Sequence, residues 1–313
     1  MESRGVKVAK YSQLELAVQA YKTGKNITAF LRDLTDSDFN SAEIIEIAYD
    51  LQAGSFIEYT ENYRERVQKY SKECADIVSQ YLNENDTLLD IGTGEITTLS
   101  LLVNELIASP SDIYAFDISL SRLIKGIDFA KREMGHCYDR LNVFVADIAK
   151  IPRPDKSINI TVSSHALEPN GSILEALLTE LYRVTQDYII LFEPCYELNS
   201  EEGRRRMDDL GYIKGLDDTI ELLGGTIIDK TEIKNIANPL NPTYCFVVQP
   251  PRAEEPISHT SNSNTFSVPG SNYPIQKQEN FLISNNLGLC FPIISGIPIL
   301  REDTMILATA LAK

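Results

Sequence analysis

The sequence predicts an α/β fold in which a mostly parallel sheet carries helices on both faces and closes with an antiparallel strand. Three observations carry this expectation. Short apolar runs near 87–91, 112–117, 141–146, 157–163 and 187–193 alternate with helical patterns near 96–107, 119–134 and 171–183. Such alternation requires parallel strands joined by right-handed crossovers. Residues 87–96 read TLLDIGTGEI, an apolar run ending in an acid and two glycines before a helical pattern, which is how a nucleotide-binding βα unit opens. After a helical pattern near 213–223 and the break Gly224-Gly225, two further strands at 226–234 and 243–249 are joined by 235–242. That connection has no room for a helix, so the two strands form a hairpin.

Residues 1–85 read as a helical region. Leu14, Ala17, Val18 and Tyr21 recur at helical spacing over 13–21, as do Ile44, Ile45, Ile47, Ala48 and Leu51 over 42–51. A third helix is expected over 59–81, where Tyr59, Tyr63, Tyr70 and Tyr81 fall. The sheet occupies 86–249. Residues 250–274 are rich in Pro, Ser and Asn and poor in large apolar groups, so they read as a linker. Residues 275–313 regain apolar character as a small C-terminal element of short strands and a final helix over 303–311.

Composition narrows the function. With 313 residues and 43% hydrophobic content the chain can bury a large core. The formal net charge of −16, from 29 basic and 45 acidic residues, repels polyanions on average and makes nucleic acid an unlikely partner. Arg204-Arg205-Arg206 is flanked by Glu201, Glu202, Asp208 and Asp209 and reads as a solvated helix face. The five cysteines stand apart from one another, with no zinc-ligand or disulfide spacing, so no metal site is expected. No apolar run approaches a membrane span and the opening MESRGVKVAK lacks the apolar region of a signal peptide. A cytoplasmic protein without membrane partners is expected.

The glycine turn departs from the dinucleotide pattern, because position 97, where the third glycine would fall, is Thr. Asp90, two residues before Gly92, would repel a pyrophosphate but suits a ligand carrying an ammonium group. The stretch Leu88-Leu89-Asp90-Ile91-Gly92-Thr93-Gly94 resembles the first motif of the class I S-adenosylmethionine-dependent methyltransferases, with Ile96 standing where the motif has its last glycine. Asp117 ends the second strand 25 residues beyond Gly92, where a carboxylate can accept ribose hydroxyls. The resemblance implies a Rossmann-like seven-stranded sheet with its last strand antiparallel and an N-terminal helical lid. It also implies S-adenosylmethionine as cofactor, held by Asp90, Gly92, Thr93, Gly94, Asp117 and Ile118. Asp147 and Ile148 after the third strand would flank the adenine, with Ser164 and the lid residue Tyr59 completing the site.

Methyl transfer is an in-line displacement, helped by a general base where the acceptor is a hydroxyl. His165 follows the fourth strand, with Glu168 placed to orient it or to bind the acceptor. A backbone cap is the competing role for His165. Glu193-Pro194 and residues 238–243 are further rim candidates. The expected substrate is a small or medium polar acceptor such as a sugar or natural-product hydroxyl. Two other readings stay open: a non-catalytic binding or scaffold protein with a decayed site, and a nicotinamide-dependent oxidoreductase. Residues 291–300, FPIISGIPIL, resemble the closing segment of the small zinc-ribbon proteins that activate certain methyltransferases, without their cysteines. So apolar a tail must cover a surface of this chain or of a second copy, which makes a homo-oligomer through the tail possible.

Overall fold

The computed structural model describes residues 7–252 and 266–312. Five helices precede the sheet: α1 (Lys7–Lys22), α2 (Ile27–Thr35), α3 (Ala42–Leu51), α4 (Ser55–Asn62) and α5 (Arg64–Val78). The side chains of Asn26 and Ser41 accept from Ala29 N and Ile44 N and so set the starts of α2 and α3. Ala17, Ile27, Leu31, Ile44, Ile47 and Ala48 form a small core of their own. The sequence reading missed α2, and the single helix expected over 59–81 is two. Tyr63 breaks it with φ −125° and ψ 37°, which turns α4 across the mouth of the sheet.

The sheet strands are β1 (Thr87–Ile91), β2 (Asp112–Asp117), β3 (Leu141–Val145), β4 (Ile158–Ser164), β5 (Thr185–Pro194), β6 (Thr226–Glu232) and β7 (Thr243–Gln249). Their spatial order is β3-β2-β1-β4-β5-β7-β6. β7 runs antiparallel to both β5 and β6, while β1 to β5 are mutually parallel. The covering helices are α6 (Thr97–Leu102), α7 (Leu120–Glu133), α8 (Leu174–Val184), α9 (Glu201–Leu210) and α10 (Leu216–Leu222). All five residues of β1 are buried, as expected for a central parallel strand covered on both faces. Leu89, Ile91 and Phe116 pack on one face, and Leu88, Ile113 and Ile190 on the other. Strand order reverses between β1 and β4, so a crevice opens beyond their carboxyl ends.

The C-terminal element is a small antiparallel sheet of β8 (Gln276–Lys277), β9 (Phe281–Ser284), β10 (Leu289–Ile294), β11 (Ile297–Pro298) and β12 (Ile306–Leu307). Ile299 pairs in parallel with Val145 at the end of β3, and Leu300 N donates to Val145 O at 2.8 Å. Leu282, Phe291 and Leu300 enter the same core as Leu89, and Arg301 reaches Glu46 of α3 at 3.0 Å. No α-helix forms over 303–311. Ile306 and Leu307 pair with Cys290 and Leu289 of β10, and one-turn 3-10 segments flank them; pairing to an open strand outweighs local helix preference there.

Of the stretch read as a linker, residues 253–265 lie outside the described residues. Residues 266–274 pack closely: Ser267 N donates to Pro152 O at 3.0 Å, Val268 is buried, and the Phe266 ring lies 5.0 Å from that of Phe144. All five cysteines are free and buried. Among the described residues no helix is long and apolar enough to cross a membrane.

Candidate active site

The loop after β1 makes three left-handed turns in five residues. Gly92 and Gly94 have φ of 60° and 59°, and Ile96 follows with φ 57° and ψ 16°. The glycine-like path thus survives without the third glycine, because Ile96 adopts the conformation itself. Left-handed backbone costs a side-chain-bearing residue about 1–2 kcal/mol. Complete burial of the Ile96 side chain contributes roughly 2–3 kcal/mol in return. Gly92 is needed for a second reason: a Cβ there would lie 2.4 Å from Ala166 Cβ, so only glycine lets the loops after β1 and β4 interlock.

Around this loop lies a first cavity of about 600 Å³. Gly92, Asp117, Ile118, Asp147, Ile148, His165 and Ala166 line it from the strand ends, and Ala42, Ile45 and Tyr49 of α3 close it from above. Asp117 is not a bare carboxylate. Its Oδ2 accepts from Gly94 N at 2.9 Å and its Oδ1 from Ser119 N at 2.8 Å, so it ties the first loop to the start of α7. Burial raises its pKa, against the pull of Arg122 and of the two amides. Asp147 Oδ1 likewise accepts from Ala149 N at 2.9 Å. Thr93 holds the loop through its backbone, N to Phe116 O at 2.9 Å.

Arg122, which sequence reasoning did not single out, lies against Gly94 in the same cavity. Its guanidinium stacks over Tyr49 and Phe56 at 5.3 and 4.8 Å from the ring centres and lies 3.6 Å from Glu95 and 4.0 Å from Asp117. Glu95, also missed, is the clasp of the lid. Its fully buried carboxylate accepts from Gly54 N at 2.9 Å and Ile57 N at 2.8 Å, amides at the start of α4 that have no partner within the helix. Asp50 at the end of α3 accepts from the hydroxyls of Ser119 and Ser121 at 2.7 and 3.0 Å. The N-terminal helices are therefore bonded to the loops that follow β1 and β2. An acid inside a glycine turn was the available signal for Glu95; nothing local marks Arg122.

Asp90 does not line the first cavity. It borders a narrow gap with Cys74, Thr98 and Ser164, and burial pushes its pKa up to about 7. Beyond that gap lies a second cavity of about 960 Å³ between α4, α5, the loop after β4 and residues 235–243. Tyr59 and Ser164 line this second cavity and not the first. The Ser164 hydroxyl bonds that of Tyr70 at 2.8 Å, and the Tyr59 hydroxyl is buried with no partner among the described residues.

His165 borders both cavities. Its backbone is left-handed, φ 59°, and its ring bonds side chains rather than capping backbone. Nδ1 lies 2.8 Å from Glu168 Oε2 and Nε2 lies 3.1 Å from Thr243 Oγ1. Asn241 Nδ2 donates to the same Glu168 oxygen at 3.0 Å. Burial alone would lower the His165 pKa and raise that of Glu168, but their mutual attraction wins and leaves His165 raised and Glu168 lowered. Glu193, at the end of β5, organises this loop: it accepts from Ala166 N and Leu167 N at 3.0 Å, from Glu168 N at 3.1 Å and from the Ser163 hydroxyl. Burial pushes its pKa up to about 7.

No protein-family model and no curated protein sequence matches the chain. Solved structures do. A complex between the Haloferax volcanii Trm112 methyltransferase activator and a chain assigned as a methyltransferase superposes with TM-score 0.51 at 14% identity, covering 64% of this chain and 96% of that one. A SAM-dependent methyltransferase from Aquifex aeolicus gives TM-score 0.43 at 16% identity, over 59% and 92% of the two chains. Geranyl diphosphate C-methyltransferase from Streptomyces coelicolor A3(2) gives 0.45 at 11%, over 57% and 78%. With the strand order β3-β2-β1-β4-β5-β7-β6 and its single antiparallel strand, the first of these likenesses settles the architecture: the chain has the fold of the class I S-adenosylmethionine-dependent methyltransferases.

Proposed function

We propose that the chain transfers a methyl group from S-adenosylmethionine to a hydroxyl of a small or medium polar acceptor, a sugar or natural-product hydroxyl being of the right kind. One observation carries the reading. A histidine hydrogen-bonded to a buried carboxylate stands where two cavities meet, one at the glycine loop and one beyond it.

The first cavity suits the cofactor. It lies beyond the carboxyl ends of the strands, where the order reverses between β1 and β4, the usual place for a ligand in an open α/β sheet. Two strand-end carboxylates, Asp117 and Asp147, and the apolar side chains of Ile118 and Ile148 line it, and Gly92 keeps the backbone open toward the ligand. Asp117 would meet the ribose hydroxyls, Ile118 and Ile148 the faces of the adenine, and Asp90 would supply negative charge behind Thr93 and Gly94. Asp117 and Asp147 outnumber Arg122 in the lining, so the surroundings favour a cation. When bound, S-adenosylmethionine supplies a methyl group made electrophilic by its positive sulfur.

The protein's own work is orientation, proton removal and exclusion of water. Glu168 and Asn241 fix the His165 ring by holding its Nδ1 side. Nε2, now bonded to the Thr243 hydroxyl, takes the acceptor's proton, and Glu168 stabilises the imidazolium that results. Lid helices α3 and α4 cover the glycine loop. Arg122 lodged against Gly94 is the one observation that favours a non-catalytic binding protein instead.

The test is adenosylhomocysteine release on a panel of polar hydroxyl acceptors. His165→Ala should slow turnover by roughly 10²–10⁴ and leave cofactor affinity nearly unchanged. The rate of the wild type should rise with pH through a midpoint above the ordinary histidine value, because the base must be neutral and its pKa is raised. Glu168→Gln should lower that midpoint. Unimpaired turnover in His165→Ala would assign the dyad a structural role.

A further inference from the structure

We propose that the acceptor bound in the second cavity is an anion, a small molecule bearing a carboxylate or a phosphate, held by Arg66 and Arg206. The inference deepens the methyl-transfer reading and rests on it for the identity of the second cavity as the acceptor site. Its own support is the distribution of charge.

In a chain of net charge −16, two guanidinium groups that line one cavity without an ion pair among the described residues concentrate positive charge where a small anion can be held. On the neighbouring helices α5 and α7, Arg64 pairs with Glu133, Lys69 with Glu65, and Arg132 with Glu61. Arg205, next to Arg206 on α9, pairs with Glu201. Arg66 and Arg206 both line the cavity itself and form no ion pair among the described residues. Arg66 lies over the Tyr63 ring at 5.6 Å. Arg206 lies over that of Tyr212 at 5.5 Å and donates to Asn241 Oδ1 at 3.3 Å. Stacking on a ring holds a guanidinium in place and leaves its N–H fork for a planar or tetrahedral anion.

Glu168 is the anion of the cavity, and it is already engaged by His165 and Asn241. The charge of Arg206 is felt at His165, where it opposes the raised pKa; an anion bound there would remove that opposition and strengthen the base. The rest of the lining suits the body of such a molecule. Phe56, Val67 and Ile236 offer apolar wall, and the buried Tyr59 hydroxyl, without a partner among the described residues, offers a further donor. The anionic head therefore lies toward Arg66 and Arg206 and the methylated group toward His165.

The test uses the full-length protein and does not require turnover. Calorimetric titrations are run with benzoate, with inorganic phosphate and with inorganic pyrophosphate, and with benzamide as the uncharged counterpart of benzoate. At least one anion should bind at least tenfold more tightly than benzamide. Preference for benzoate places a carboxylate in the site, and preference for phosphate or pyrophosphate a phosphate. The double variant Arg66→Gln/Arg206→Gln should reduce the preference below threefold while its melting temperature and circular dichroism stay those of the wild type; Arg205→Gln should leave it intact. Benzamide binding as tightly as every anion, absence of anion binding to the wild type, or anion affinity that survives the double variant would each overturn the proposal. Adenosylhomocysteine is titrated separately: if it binds while the anion preference is absent, the anion proposal fails and the methyl-transfer reading stands, and if anions bind but it does not, the methyl-transfer reading fails and takes the acceptor role with it, while the anion site stands.

Discussion

Removing the Glu95 carboxylate should loosen the lid without unfolding the sheet. The side chain is fully buried and its two oxygens take the amides of Gly54 and Ile57. Hydrogen bonds to a charged group are worth roughly 1.5–3 kcal/mol each, so Glu95→Ala forfeits about 3–6 kcal/mol. It also leaves Arg122, itself buried, with only the more distant Asp117 for an anion among the described residues. Against this, the freed amides at the start of α4 can reach water once the helix lifts, which recovers part of the loss. A net local cost of about 3–4 kcal/mol corresponds to a 10²–10³-fold rise in the exchange rate of the α4 amides. Native-state hydrogen exchange would read it, with β1 and β4 amides as internal reference. Glu95→Gln keeps one acceptor oxygen and should give a smaller rise. If α4 exchanges at the wild-type rate in Glu95→Ala, the clasp argument is wrong.

Two further outcomes follow from the buried acids and the tail. Asp90 and Glu193 both have pKa values near 7 in the folded chain, above those of unfolded carboxyls at about 4. Between those values the folded state holds protons that the unfolded state has released, so stability should fall as pH rises from about 4 to 7. Urea denaturation at pH 5, 6, 7 and 8 should show the decline, and Asp90→Asn should flatten it; a flat wild-type profile would refute the assignment. Truncation after Gln249 removes Leu282, Phe291 and Leu300 from the main core and Ile299 from the edge of β3. It should lower the melting temperature or the solubility of the remainder, and metal analysis of the full chain should find no stoichiometric zinc. A truncated protein that melts unchanged and stays monomeric would contradict the docked tail.

The parallel part of the sheet was legible because its signals are local: β1, β2 and β3 are short apolar runs, and Asp90, Asp117 and Asp147 mark where they stop. The hairpin was legible because 235–242 is too short for any other connection. His165 and Glu168 could be paired on sequence, since three residues separate them in one loop. What stayed hidden depends on contacts between distant segments. Arg122 meets Glu95 and Tyr49 only after α7 and α3 pack on the glycine loop, and Arg66 and Arg206 share a cavity although 140 residues separate them in the chain. Tyr59 and Ser164 carry no sign in sequence of which cavity they face. The helix expected over 303–311 failed for the same reason: its local pattern is helical, but the free edge of β10 takes Ile306 and Leu307.

The most direct test of the methyl-transfer account is calorimetric titration of the full-length protein with S-adenosylmethionine, S-adenosylhomocysteine and NADH. The account predicts one site per chain for each sulfur ligand and no heat with NADH. It further predicts at least tenfold weaker binding of both sulfur ligands in Asp117→Ala, which loses the carboxylate and its grip on Gly94. Absence of heat with either sulfur ligand, or a saturable site for NADH in their place, would contradict it.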